Sequence, residues 1–309
     1  MPVADEVHRL QKGKSADARF FQGFCEEGHY GGRSKPTDTR QGIYAVSASG
    51  RFLASVNTRD ARQMRRMLEE ALERFEALPV AAREASAEQL AEIGQVRRAE
   101  DAYPEDGLVL RVVTKDLEGS VATEAWHKSA RNLDWAWFRA SEARTFLPPK
   151  VEGPGQVHRV PEALVQRLAR FHFVDNVRGQ TSPFAAPDVQ RAELTAHVEA
   201  SDDAGVDLRF TGETLAFAGG DAARRRDPWV RGVELTLRGH ARWDHGQKRF
   251  TYFEVVATGR RWGRTQYNAR EPLPTEGMLE SEGIAVLLEI VPAREDPRVA
   301  PAHFWGYGW

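Results

Sequence analysis

The chain has 309 residues, 41% of them hydrophobic and 28% charged, and 43 Lys and Arg against 45 Asp and Glu leave a net charge of −2. This length favours two domains and buries enough apolar surface to fold without a metal or a disulfide. The balanced charge gives no bulk pull toward nucleic acid or a membrane surface. No run approaches the ~20 apolar residues of a membrane span, and the single cysteine, Cys25, excludes an internal disulfide and any CxxC pair.

The first residues, MPVADEVHRLQKGK, lack the apolar core of a secretory signal, so the expectation is a cytoplasmic protein if this N-terminus is native. Residues 15–27 read as a helix with Ser15 as N-cap and Phe20, Phe21 and Phe24 at helical spacing, ended by Gly28. The stretch GHYGGRSKPTDTRQ is loop by composition. Ile43 to Val46 and Phe52 to Val56 flank Ser47-Ala48-Ser49-Gly50 and read as a hairpin. Asp60 then caps a long amphipathic helix with Met64, Met67, Leu68, Ala71, Leu72 and Phe75 on its stripe. Residues 83–100 read as a thin-faced helix that serves as a linker, with the domain boundary near residue 105.

The second part opens on a strand, LVLRVVT, at 108–114. It continues through the aromatic pieces Trp126-His127 and Asp134 to Phe138, a short helix near 141–146, and a helix starting at Pro161 that carries Leu164, Val165, Leu168, Ala169 and His172 on one face. From residue 190 the period becomes two. Leu194, Ala196 and Val198 alternate with Thr195, His197 and Glu199; Val233, Leu235 and Leu237 alternate with Glu234, Thr236 and Arg238. Residues 249–258 and 284–291 are further strands. This patterning predicts an antiparallel sheet, sandwich or open barrel. The fold class expected is therefore α+β: an αββα segment with a helical linker over 1–105, a β-rich domain with one or two helices over 106–295, and an aromatic tail, 296–309. The tail ends in HFWGYGW and is expected to dock, since free rings would be sticky.

The segment 39–75, TRQGIYAVSASGRFLASVNTRDARQMRRMLEEALERF, resembles the C-terminal half of a thioredoxin-like fold, a hairpin followed by a helix lying back across the sheet. The resemblance implies a fold. It does not imply disulfide exchange, because the family's CxxC is missing and Thr39-Arg40-Gln41 stand where its cis-proline would precede the hairpin. Cys25 sits near a helix C-terminus, where the helix dipole disfavours a thiolate.

The chemistry-bearing groups are scattered. Cys25 and His29 form a C-x3-H pair, two ligands where a tetrahedral metal needs four. The segment His172 to Gln180 packs an imidazole, a carboxylate, an amide and a guanidinium together. His172, Asp175 and Arg178 are the candidate catalytic set, with acid–base work by imidazole and carboxylate set against a turn-and-ion-pair reading. His197 and His240 lie on polar strand faces. With His172 they are the candidate metal ligands, and in a polar-lined barrel they would face a pocket with Glu199, Arg238 and Glu254. On an ordinary antiparallel sheet they face solvent instead. Arg260-Arg261-Trp262-Gly263-Arg264 offers guanidinium and indole to an anion or a planar ligand, so Arg238, Arg261 and Trp262 are the candidate ligand contacts. Arg224-Arg225-Arg226 reads as a solvated loop.

No GxGxxG, GxxxxGK[ST], HExxH or GxSxG motif occurs. The sequence specifies no cofactor, although a transition metal fits the histidines, and it specifies no substrate or oligomeric state. Three readings follow: a protein binding a small molecule or a partner, a metal-dependent enzyme using the histidines, and a thiol-redox protein using Cys25.

Overall fold

The computed structural model describes residues 7–28, 42–58, 60–94, 99–117, 124–218, 230–265, 267–270, 282–291, 295 and 298–309. His29, Thr39 to Gln41, Arg224 to Arg226 and Trp229 lie outside them. The chain divides into two compact units, Met1–Arg98 and Ala99–Trp309. Segment 99–107, which composition places in the linker, belongs to the second: the Tyr103 ring stands 5.4 Å from that of Trp137.

The first unit runs α1 (Val7–Lys12), α2 (Ala16–Gly28), β1 (Ile43–Val46), β2 (Phe52–Val56), α3 (Ala61–Ala77), α4 (Val80–Arg83) and α5 (Ala87–Gly94). β1 and β2 pair antiparallel as a hairpin. Asp60 caps α3 by accepting the Arg62 and Gln63 amides at 2.8 and 3.0 Å, and α3 packs Met67 and Ala71 onto Leu53 and Ala54 of β2. The helix expected over 83–100 is shorter. Ser86 and Gln89 form a capping box, the Ser86 Oγ accepting the Gln89 amide at 3.1 Å and the Gln89 Oε1 accepting the Ser86 amide at 2.9 Å, and this starts a new helix at Ala87.

The second unit contains β3 (Leu108–Asp116), β4 (Arg131–Phe138), α6 (Ala140–Arg144), β5 (Val157–Arg159), α7 (Glu162–Phe171), β6 (Val189–Ser201), β7 (Gly205–Ala218), β8 (Arg231–Asp244), β9 (Arg249–Gly263) and β10 (Glu282–Ile290). The strands form one antiparallel sheet in the order β4-β3-β10-β9-β8-β7-β6-β5. Among the described residues it is an open sheet with β4 and β5 at its edges, neither a sandwich nor a closed barrel.

The period-two pattern decides its faces. Leu110, Val112, Leu194, Ala196, Phe210, Leu235, Leu237, Val255, Ala257, Val286 and Leu288 share the inner face and are buried with α7 residues Leu164, Val165, Leu168 and Ala169 in one core. The inner face is strongly curved. β4 and β7 are five strand steps apart, about 24 Å on a flat sheet, yet the Phe146 ring lies 5.2 Å from Phe138 of β4 and 6.1 Å from Phe210 of β7. Glycine permits this. A Cβ on Gly212, Gly239 or Gly259 would meet the carbonyl oxygen of Glu193, Glu254 or Glu234 at 2.2, 2.2 and 2.0 Å.

The aromatic tail docks on the edge strand β4. The Phe304 ring packs at 5.7 Å from Trp137, the Ala302 amide donates to Asp134 Oδ1 at 2.8 Å, and Arg167 of α7 donates to the Trp137 carbonyl at 3.2 Å. Covering the edge in this way removes a template for strand pairing with another chain.

Candidate functional site

Three polar constellations stand out, two inside the curve of the sheet and one on its outer face.

The first is a charge-balanced cluster at one end of the inner face. Asp116, Glu282 and Arg261 fall in phase with the buried stripes of β3, β10 and β9, and Arg261 is the direct cross-strand partner of Glu282. Asp175 and Arg178 reach the cluster from the segment after α7, and Arg270 from the segment after β9. Arg270 contacts Asp116 at 2.6 Å, Asp175 at 2.7 Å and Glu282 at 3.4 Å; Arg178 donates to Asp116 at 2.8 Å; Arg261 pairs with Glu282. Burial pushes the Asp116 carboxyl up, but the Arg270 and Arg178 hydrogen bonds and charges outweigh it and hold Asp116 below the ordinary carboxylate range. Asn268 ties its two covering segments together, donating to Asp175 and accepting the Thr265 amide at 3.0 Å. Three guanidinium groups answer three carboxylates, so the arrangement joins loops to sheet and leaves no net charge for a ligand to neutralise.

The second is a chain of carboxylate, imidazole and phenol. His172, at the C-terminus of α7, is 2% exposed. Its Nδ1 donates to Asp134 Oδ2 at 3.0 Å, and in the neutral imidazole Nε2 accepts from the Tyr307 hydroxyl. Burial raises the Asp134 carboxyl, yet the bond to His172 and the Ala302 and Trp135 amides lower it further than burial raises it. Burial pushes the Tyr307 phenol up, so it keeps its proton. The Arg167 guanidinium stacks on the Tyr307 ring at 4.5 Å while pairing with Glu142 at 2.8 Å. Each of the three polar groups in the chain is satisfied by another, and together they pin the tail to the edge strand.

The third is open. Outward side chains of β6, β7 and β8 border an open groove of about 500 Å³ lined by Glu193, Thr195, Arg209, Thr211, Glu213, Thr236, Arg238 and His240. Thr195 faces Thr211 across β6 and β7, and these two half-buried side chains form its floor, while Thr211 faces the exposed Arg238 on β8. Long charged side chains form its walls. A smaller depression of about 290 Å³ adjoins it and shares Glu213 and Thr236.

The residues singled out from the sequence therefore separate. His172 pairs with Asp134, whereas Asp175 and Arg178 belong to the ionic cluster. His197 and His240 lie on the outer face, where His197 meets the Thr211 hydroxyl at 3.0 Å and His240 meets Glu199 at 3.4 Å. They do not converge with the inward-lying His172. The polar faces of β6 and β8 point outward because the interior of the curve is filled by the apolar core, so no polar-lined barrel forms. Among the described residues no group of three or more His, Cys, Asp or Glu could hold a metal ion. Arg238 lines the groove; Arg261 is buried in the cluster; Trp262 is buried, with its ring at the position a Gly232 Cβ would need. Cys25 is fully buried in α2.

Residues not singled out from the sequence as site members are Asp116, Asp134, Arg270, Glu282 and Tyr307. Three carry a legible signal: Asp116, Asp134 and Glu282 each stand in phase with a buried apolar stripe, where a charge needs a partner.

No protein-family model matches the chain. Comparison with curated proteins and with solved structures also gives no match. Among the described residues no helix is long and apolar enough to cross a membrane.

Proposed function

We propose that this is a small-molecule-binding protein without thiol-redox activity, and that the groove over β6, β7 and β8 is its binding site. The observation carrying the proposal is the groove itself, about 500 Å³ of polar-lined space over a floor of threonines. That volume lies within the range of small-molecule sites, which combine concavity with a few convergent polar groups. The buried constellations offer no comparable opening: their charges answer one another at ion-pair distance, Arg261 Nε standing 3.6 Å from Asp175 Oδ2 without a hydrogen bond. The absence of thiol chemistry is supported by the burial of Cys25, whose Sγ lies 3.5 Å from the Gln22 carbonyl within its own helix. On this reading the hairpin and α3 are a thioredoxin-like half-fold used as a scaffold, supported by the packing of α3 across β2.

Thermal shift with a panel of small polar compounds tests the site. A ligand at one hundred times its Kd should stabilise the folded chain by about 2.7 kcal/mol, and Thr211→Trp, which fills the groove floor, should remove the shift. A saturable shift that survives in Thr211→Trp, or a panel with no saturable ligand, would count against the groove.

A further inference from the structure

We infer that the groove selects a small molecule with an oxyanion at one end and hydroxyl or amine donors at the other, the chemistry of a hydroxy acid or an amino acid. The inference rests on the groove being the binding site.

The first support is the state of the arginines around it. Arg191 is paired with Glu213 at 2.8 Å, Arg209 with Glu199 at 3.1 Å and Arg260 with Glu234 at 2.7 Å. Arg238 has no carboxylate partner among the described residues. Its cross-strand neighbours are Thr211 on β7 and Val256 on β9, neither of them charged. A guanidinium standing beside threonine hydroxyls in a concave site presents the donor fork that matches a planar oxyanion.

The second support lies at the opposite end. Glu193 and Glu213 face one another directly across β6 and β7, a like-charge pair that costs stability unless something is drawn in. Arg159 at 3.2 Å and Arg191 at 2.8 Å each take one of them. A carboxylate offers about four acceptor positions, so both remain able to accept from a ligand. Glu213 is the direct partner of Thr236, two residues before Arg238. Arg238 and Glu213 thus stem from diagonally neighbouring positions, whose backbones stand about 7–8 Å apart. A chain of roughly four to six heavy atoms spans that distance, and a neutral polyol or a bare anion satisfies one end alone.

Titration calorimetry on the full chain with gluconate and L-glutamine as probes, and sorbitol and acetate as their one-ended counterparts, tests the inference. At least one two-ended probe should bind, with sorbitol and acetate about tenfold weaker or worse, a difference of about 1.4 kcal/mol. Arg238→Gln should weaken that probe by a similar factor, Arg238→Lys should recover part of the loss, and Glu213→Gln should weaken it without restoring sorbitol. Sorbitol binding as well as gluconate, or Arg238→Gln leaving affinity unchanged, overturns the charge selection while leaving the groove in place if Thr211→Trp still abolishes binding. Binding by neither two-ended probe overturns the selection too, and binding retained in Thr211→Trp overturns the groove with it.

Discussion

Arg270 holds Asp116 by both carboxylate oxygens, Nη1 donating to Oδ2 at 2.8 Å and Nη2 to Oδ1 at 2.6 Å. The same guanidinium reaches Asp175 from its other side, with Nε on Oδ2 at 2.8 Å and Nη2 on Oδ1 at 2.7 Å. Asp116 belongs to β3 and Asp175 to the segment after α7, so one side chain joins the end of a strand to the cover of the core.

Arg270→Met should therefore be strongly destabilising. It leaves two buried carboxylates facing one another with one guanidinium fewer, and breaking a buried pair from one side costs about 3–5 kcal/mol. Urea denaturation at neutral pH measures the loss. Adding Asp175→Asn to Arg270→Met should recover part of it, because the remaining cations then face fewer charges. A loss below about 1 kcal/mol, the range of an exposed pair, would mean the cluster is open to water.

How far this was legible divides along a physical line. The strands carrying Leu194, Ala196 and Val198, or Val233, Leu235 and Leu237, were readable because burial on one face imposes a period of two within a few residues. The helix carrying Leu164, Val165 and Leu168 was readable for the same local reason. Partnerships were not. Asp134 is 38 residues from His172 and Tyr307 is 135 residues away, and nothing in the spacing along the chain couples them. His172, Asp175 and Arg178 look like one site because they are neighbours in sequence, but the turn after α7 sends His172 to β4 and the other two to β3 and Arg270. The patterning left sheet, sandwich and open barrel as alternatives and did not choose among them, since the curvature depends on Gly212, Gly239 and Gly259 falling on the same inner face once the register is set.

The acid limb of stability should report the cluster. Burial raises the Asp116 carboxyl, and Arg270 and Arg178 lower it by more, so its folded value lies below the unfolded value of about 3.9. A depressed carboxylate contributes stability above its unfolded pKa and loses that contribution as pH falls through the folded one. Stability should accordingly hold down to about pH 4 and fall below it, with Asp134, held low by His172, adding to the fall. Denaturant titrations from pH 6 to pH 2 measure this, and Asp116→Asn should be less stable at pH 6 but flatter below pH 4. An unchanged slope in Asp116→Asn would remove the cluster as the source.

Tyr307 governs the alkaline limb with the opposite sign. Burial pushes its phenol above the ordinary value of about 10, with Asp134 adding to the rise and Arg167 opposing it. A group whose folded pKa is raised leaves stability untouched below its unfolded pKa and withdraws it as pH climbs from there toward the folded value. The tail should stay docked up to about pH 10 and loosen above it, because only the undocked phenol ionises. Absorbance at 295 nm reads this directly. Of six tyrosines, Tyr252 and Tyr307 are both pushed up; the component that ionises in step with loss of tertiary structure should be Tyr307, and Tyr307→Phe should delete it. The same variant leaves His172 Nε2 buried without its hydroxyl partner, a loss of about 1–3 kcal/mol at neutral pH, and it should speed proteolysis within 298–309. If all the tyrosines ionise together near pH 10 while the fold persists, then the hydroxyl is in water and the chain from Asp134 through His172 does not hold the tail.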